Sequence, residues 1–217
     1  TMTNHPAFRF LHLFIASMFM LTCGTASRRD ESGLRLHYLG HSSFILAFGN
    51  GVTVLTDYGE SRAYGLDSPV YDAGDLKPDL VLYSHHHPDH DRGKVFEGAG
   101  VVDGGSLRLK GLEIRAVPVS ENAAGDNSGY LFTYRGRTVF HAGDCQGDMA
   151  GIASGDSARE RLRSRLPGRI DLLLLPVDWK KGIMDQAVAF VDFLRPRRVI
   201  PMHFWSPAVK DEFLSRL

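Results

Sequence analysis

His85-His86-His87-Pro88-Asp89-His90 packs four imidazoles and a carboxylate into six residues, directly after the apolar run Leu80-Val81-Leu82-Tyr83. Read as H-x-H-x-D-H, it sets His85, His87, Asp89 and His90 where a buried strand ends and the chain turns. Side chains two apart on an extended backbone share a side. His85 and His87 are therefore expected to reach one ion while Asp89 and His90 swing round to a second. Pro88 disfavours αR for His87 and removes a backbone donor, so the run is expected not to be helical. That excludes the metalloprotease helix that carries H-E-x-x-H. Neutral imidazole and carboxylate suit Zn, Mn, Fe or Ni, and the run offers no thiolate. A solvated histidine-rich loop or a tag-like tract would supply histidines, but has no reason to carry an Asp-His pair at this register behind a buried strand.

The chain around this run has 217 residues, of which 43% are hydrophobic and 23% charged, and fits one globular domain with a substantial core. Lys+Arg and Asp+Glu balance at 25 each. A protein that tracks phosphates usually carries a basic excess, so a small-molecule substrate is expected and a nucleic-acid partner is not.

The N-terminus reads as a separate object. Arg9 and His12 precede the uncharged run 13–21, too short to cross a bilayer comfortably, and small residues follow at Gly24 and Ala26. This is the pattern of a secretory signal peptide, residues 1–26, cut after Ala26. The remaining domain, 27–217, would then be exported to the periplasm or the extracellular space. Cys23 gives a poor lipoprotein-type site, and a membrane tie would run only through an uncleaved or lipidated N-terminus. An amphipathic helix would need a polar face that the segment lacks. With 1–26 removed, Cys145 is the only cysteine and no intramolecular disulfide can form.

From residue 32 onward strands come first. Segments 34–39, 43–48 and 52–56 are short and apolar, the last two joined by the hairpin turn Gly49-Asn50-Gly51. Residues 60–78 lack periodicity and carry Gly65, Pro69, Gly74 and Pro78, which predicts a loop with little helix. Strands are expected over 79–84, 101–102, 106–109, 112–119, 130–134 and 138–142, a charged helix over 157–166 and a buried strand over 171–177. Ile183, Ala187, Phe190, Val191 and Leu194 keep helical spacing up to Pro196. A strand over 198–202 then delivers His203, and a terminal helix covers 208–217.

Four positions thus fall at the C-terminal ends of predicted strands: the 85–90 run, the region around Glu121, Asp144 and His203. Polar residues gathered at strand ends make a site, because ligands of open sheets collect there. Singly, Asp144 could be a turn or N-cap residue and His203 a satisfied core histidine; together with the run they form a candidate constellation.

The sequence resembles the metallo-β-lactamase superfamily over nearly the whole of 27–217. The residues that carry the resemblance are Gly40-His41-Ser42-Ser43-Phe44, Asp57, the 85–90 run, Ala142-Gly143-Asp144 and Pro201-Met202-His203. Their order and spacing are most similar to small metal-dependent hydrolases akin to L-ascorbate-6-phosphate lactonase. The resemblance implies a four-layer αββα sandwich with mixed sheets and two divalent metal ions in a cleft at one edge. Zn is the leading candidate, with Mn or Fe as alternatives. It implies that His85 and His87 hold the first ion, that Asp89, His90 and His203 hold the second, and that Asp144 bridges them. One departure stands out: the family carries another first-site histidine where this chain has Glu121. Glu121 would ligate in its place, adding an anionic oxygen and favouring Mn or Fe over Zn, or the first site is weak or empty.

His41 and Asp57 are read as lying behind the ligands or facing substrate, with Asp57 fixing a ligand tautomer. Asp57 could equally be a strand-terminal turn residue. His141 and His86 receive no ligand role. Trp179 and Trp205 are expected at the rim, lining a pocket or closing the core. Cys145 is read as packing, not as a nucleophile. The chemistry expected is attack of a metal-activated hydroxide on a small ester, lactone or phosphoester, with Asp89 accepting or donating a proton. A nucleic-acid phosphodiesterase, and a metal-binding module whose catalysis is impaired by Glu121, are the alternatives.

Overall fold

The computed structural model describes residues 33–66, 69–121, 127–155, 158–178 and 182–217. The expected signal segment 1–26 and Trp179 lie outside them. No helix among the described residues is long and apolar enough to cross a membrane.

β1 (Leu34–Gly40), β2 (Ser43–Phe48) and β3 (Thr53–Thr56) form the antiparallel meander that the Gly49-Asn50-Gly51 turn predicts. Asn50 closes that turn by accepting the Val52 amide on its side chain at 3.0 Å. β4 (Leu80–Leu82) and β5 (Gly100–Val102) add in parallel beside β3. A second sheet runs β11-β10-β9-β8-β7-β6, built from β6 (Ser106–Leu109), β7 (Leu112–Val119), β8 (Asn127–Tyr134), β9 (Arg137–His141), β10 (Leu172–Pro176) and β11 (Val199–Met202). Both sheets are mixed, as expected.

Between the sheets, alternate residues of each strand meet face to face. Phe44, Leu46, Val54 and Leu82 pack against Ile114, Phe132, Leu174 and Met202, all buried. The outer face of the first sheet, with Leu55 and Val81, is covered mainly by coil, into which are set a 3-10 turn (Ala63–Gly65) and the single turn α1 (Pro88–Asp91). Over the outer face of the second sheet lie α2 (Gln146–Ser154), α3 (Ala158–Arg165), α4 (Ile183–Leu194) and α5 (Pro207–Ser215). The order is that of the expected four-layer metallo-β-lactamase sandwich. α4 buries Met184, Ala187 and Phe190 on one face and ends at Arg195 in the left-handed region, with Pro196 behind it.

Two features depart from the sequence reading. The run does turn helical: His87 is extended, as a residue before proline should be, but Pro88 itself opens α1 at the first helical position. There its fixed φ is suited to a helix and its missing N–H costs nothing. The second departure is α2, absent from the expected elements. Asp148, Met149, Gly151 and Ile152 are all buried, so no apolar stripe is set against a polar face.

Strand direction positions the site. β1, β3, β4 and β5 run one way in the first sheet, and β7, β9, β10 and β11 share a direction in the second. His41, Asp57, His85, Glu121, Asp144, Asp178 and His203 each follow the C-terminal end of one of these strands. Two backbone hydrogen bonds lock the rims together: the His203 amide donates to His41 O and the Ser128 amide to Ser84 O, both at 2.9 Å.

Candidate metal centre

Three of the strand-end residues carry a backbone cost. His41, Asp57 and His203 sit at φ 50°, 41° and 57°, in the left-handed region that non-glycine residues avoid by about 1–2 kcal/mol each. All three side chains are buried in one cluster. Gly143, at φ 55°, lets the chain turn before Asp144, and a Cβ there would meet Asn127 Oδ1 at 2.7 Å.

The cluster brings together His85, His87, Asp89, His90, Glu121, Asp144 and His203. His90 Nε2 lies 3.5 Å from both Asp89 Oδ2 and Asp144 Oδ2. His203 Nε2 lies 3.6 Å from Asp89 Oδ2 and 3.1 Å from Asp144 Oδ2. Donors about 2.0–2.1 Å from a tetrahedral ion are about 3.3–3.4 Å from one another, so each of these two imidazole nitrogens stands at ligand-shell spacing from both carboxylates, and the donor atoms of His41, Asp89, His90 and His203 lie within 4.8 Å of one another. His90 Nε2 and the Oδ1 atoms of Asp89 and Asp144 are buried without a hydrogen-bond partner, which an ion or the water on it would remedy. His85, His87 and Glu121 offer a further set of donor atoms within 4.8 Å of one another, and His85, His90 and Asp144 another. His85 Nε2 is 2.9 Å from His87 Nδ1 and 3.9 Å from Asp144 Oδ2. The residues present therefore fit divalent ions.

A second layer orients the first. Asp57 Oδ1 accepts the Ser84 amide at 2.6 Å and Asp57 Oδ2 lies 3.1 Å from His90 Nδ1. Ser84 Oγ is 3.0 Å from His85 Nδ1 and 3.2 Å from His90 Nδ1, so both imidazoles are held from behind with Nε2 forward. Asn127 Nδ2 donates to Asp144 O at 3.2 Å. His41 Nε2 donates to Asp89 Oδ2 at 2.9 Å, and His41 also belongs with Asp89, His90 and His203 to a set of donor atoms within 4.8 Å of one another. His141 Nε2 donates to Ser42 O at 3.1 Å, away from the donors. His86 is 64% exposed and pairs with Asp91 and Asp103. Cys145 is buried in the core, where burial raises its thiol pKa well above the ordinary value.

Ser84, Asn127 and Asp148 carry no signal in the sequence. Asp148 Oδ2 accepts the Ser120 amide at 2.7 Å, and the Gly147 and Asp148 amides donate to Ser120 O at 2.8 and 3.2 Å. Arg161 closes the group on Asp148 Oδ1 at 2.6 Å. The residue before Glu121 is thereby clasped to the start of the helix that follows Asp144. No local pattern announces such a clasp, because it forms between segments about 28 residues apart.

Burial and the neighbouring carboxylates divide the imidazoles into two groups. Burial lowers the His85 imidazole to about 4, helped by neighbouring His90, so it is neutral. Burial and His203 likewise lower His41 to about 4. For His203 burial pulls down, but Asp144 outweighs it and raises the group to about 9. His90 is raised by Asp144 and Asp57 against the same burial. Burial opposes ionisation of Asp144, yet His203 and His90 hold it well below the usual carboxylate range. Glu121 is raised, by burial first and then by Asp144.

Above the donors opens a cavity of about 430 Å³, walled by Tyr64, Gln146, Asp178, Ile183 and Trp205. A larger cavity of about 740 Å³ lies at the far seam of the sandwich, lined by Leu34, Phe132 and Ile200. It touches none of the polar cluster.

Fold and cluster together define an αββα scaffold with a histidine- and aspartate-built metal site at the strand ends. The family described as the Beta-lactamase superfamily domain matches residues 35–203, and the chain belongs to it. Similar proteins include a UPF0173 metal-dependent hydrolase of Pyrococcus abyssi, 27% identical over 82% of this chain and 88% of that protein. Another, from Opitutus terrae, is 29% identical over 79% of this chain and 85% of that protein. A crystal structure of a metallo-β-lactamase superfamily member from Thermotoga maritima is similar with a TM-score of 0.55 at 25% identity, covering 85% of this chain and 86% of that one. A metallo hydrolase from Ignicoccus hospitalis shares the fold with a TM-score of 0.55 at 22% identity, over 84% of this chain and 89% of that one.

Proposed function

We propose that this protein is a metal-dependent hydrolase of a small ester, lactone or phosphoester, with His85, His87, Glu121 and Asp144 around one divalent ion and Asp89, His90, His203 and Asp144 around a second. The supporting observation is that the Nε2 atoms of His90 and His203 each lie 3.1–3.6 Å from the Oδ2 atoms of both Asp89 and Asp144. Ions held there would acidify a bound water and polarise the substrate oxygen. Zn suits the four-donor set, and the additional carboxylate of Glu121 favours Mn or Fe at the first.

The chain's own groups complete the chemistry. His41 fixes Asp89 through Oδ2, and against burial the contacts to His203 and His41 hold its carboxyl far below the usual carboxylate range, so Asp89 stays anionic and offers its oxygens as ligand and as hydrogen-bond acceptor for the attacking water. A cavity of about 430 Å³ has the size of a small-molecule site.

Metal content and turnover test the reading together. Two equivalents per chain are expected, with hydrolysis of 4-nitrophenyl acetate, an acyl homoserine lactone or bis(4-nitrophenyl) phosphate that Asp144→Ala abolishes. If Glu121→His raises stoichiometry and turnover together, position 121 holds a ligand. One tightly held ion with no turnover would instead mark a metal-binding module.

A further inference from the structure

We propose that Tyr64 is the substrate-selecting wall of the cleft, presenting its ring to a flat apolar group, such as an aryl ring, carried beside the bond that is broken. This rests on the hydrolase reading and adds a substrate class to it.

Neither packing nor backbone preference accounts for Tyr64. Its side chain is 61% exposed, so it contributes little to the core. Its backbone is left-handed, at φ 54° and ψ 19°, a conformation unfavourable for a bulky L-residue. Arg62, two residues earlier, is left-handed as well, at φ 63°.

The turn that carries Tyr64 is nonetheless seated firmly, and on the ligands. The Glu60 amide donates to Pro88 O at 2.7 Å and the Gly93 amide to Tyr58 O at 3.0 Å. A Cβ at Gly59 would lie 1.9 Å from Asp89 O. Residues 58–60 are therefore pressed against the turn bearing Asp89 and His90, and Tyr64 follows four residues on and lines the cavity above the ligands. In the cavity Tyr64, Ile183 and Trp205 supply the apolar wall, while His87, Asp89, Asp144 and His203 supply the polar floor. An exposed aromatic held in a strained backbone at the mouth of a metal cleft is accounted for when a ligand covers it. Aromatic faces favour planar apolar partners, by offset stacking or edge-to-face contact.

The test uses the metal-loaded full chain and two metal-directed probes, benzohydroxamate and acetohydroxamate, with binding read by calorimetry. Wild type is expected to prefer the aryl probe, and Tyr64→Ala to reduce that preference about three- to tenfold. Tyr64→Phe should retain it. In turnover, the ratio of KM for phenyl acetate to KM for methyl acetate should rise by the same factor in Tyr64→Ala. A third variant separates selection from scaffolding: Tyr64→Gly should melt higher than Tyr64→Ala, because glycine relieves the left-handed strain while both lack the ring. Equal weakening of both hydroxamates, or a lower Tm for Tyr64→Gly than for Tyr64→Ala, overturns the proposal. If wild type turns over neither ester yet the hydroxamate preference depends on Tyr64, the hydrolase reading fails and the role of Tyr64 stands. If wild type hydrolyses both esters with a preference indifferent to Tyr64, the hydrolase reading stands and the role of Tyr64 fails.

Discussion

Asp57 Oδ2 lies 3.1 Å from His90 Nδ1, while the other oxygen of that carboxylate accepts the Ser84 amide at 2.6 Å. The imidazole is fixed from behind, and Nε2 faces Asp89 and Asp144. Asp57→Asn should lower metal affinity about 10–100-fold, read by competition with a chromophoric chelator. Unchanged affinity would reduce Asp57 to a strand-terminal turn residue.

Metal loading should release protons. His203, raised to about 9, and His90, raised in the same direction, hold protons at pH 7 in the metal-free chain, whereas a metal ligand must be neutral imidazole. Loading at pH 7 in weak buffer should release protons, and His203→Ala should release fewer than wild type. Release of none would place the ion elsewhere.

The same shifts set the pH dependence of stability without metal. For His203 the folded value exceeds the unfolded one, so its contribution is full below about 6.5 and is lost as pH rises through about 9. His41 and His85, lowered to about 4, act oppositely: the unfolded chain takes up protons first, so stability falls as pH drops from about 6.5 to about 4. Tm of the metal-free chain should therefore peak near pH 6–7. Scanning calorimetry across pH 4–10 would show a monotonic trend if these assignments are wrong.

Asp148 ties Glu121 to Asp144 through the Ser120 backbone. Asp148→Ala strips a buried acceptor from the Ser120 amide and from Arg161, and should cost about 2 kcal/mol in urea unfolding. Asp148→Asn keeps the size and should lose the ion beside Glu121 before the one beside His203. Loss of both ions together would mean that the clasp supports the whole fold, not one site.

The sheets and the ligand run are legible in the sequence because their signals are local. The short apolar run of 43–48, the glycine turn at 49–51 and the apolar stretch before His85 each report on their own neighbours. Convergence of Asp144 and His203 on that run is legible by another route, since strand ends of one direction share a rim. What escapes is structure decided by distant partners. α2 is buried around more than one face, and Gly147 sits where a Cβ would meet Ser120 O at 2.8 Å, so a glycine that weakens any helical reading is required by packing. Pro88 acts twice, restricting His87 and opening a helix, and only the first effect is plain from the residues beside it. Ser84, Asn127 and Tyr64 matter through what faces them, which no window of sequence contains.

Anomalous diffraction from crystals grown with Zn tests the central claim most directly. Two peaks per chain are expected, one bounded by Asp89, His90, Asp144 and His203 and the other by His85, His87, Glu121 and Asp144. A map with no peak touching both Asp144 and His203 would contradict the account.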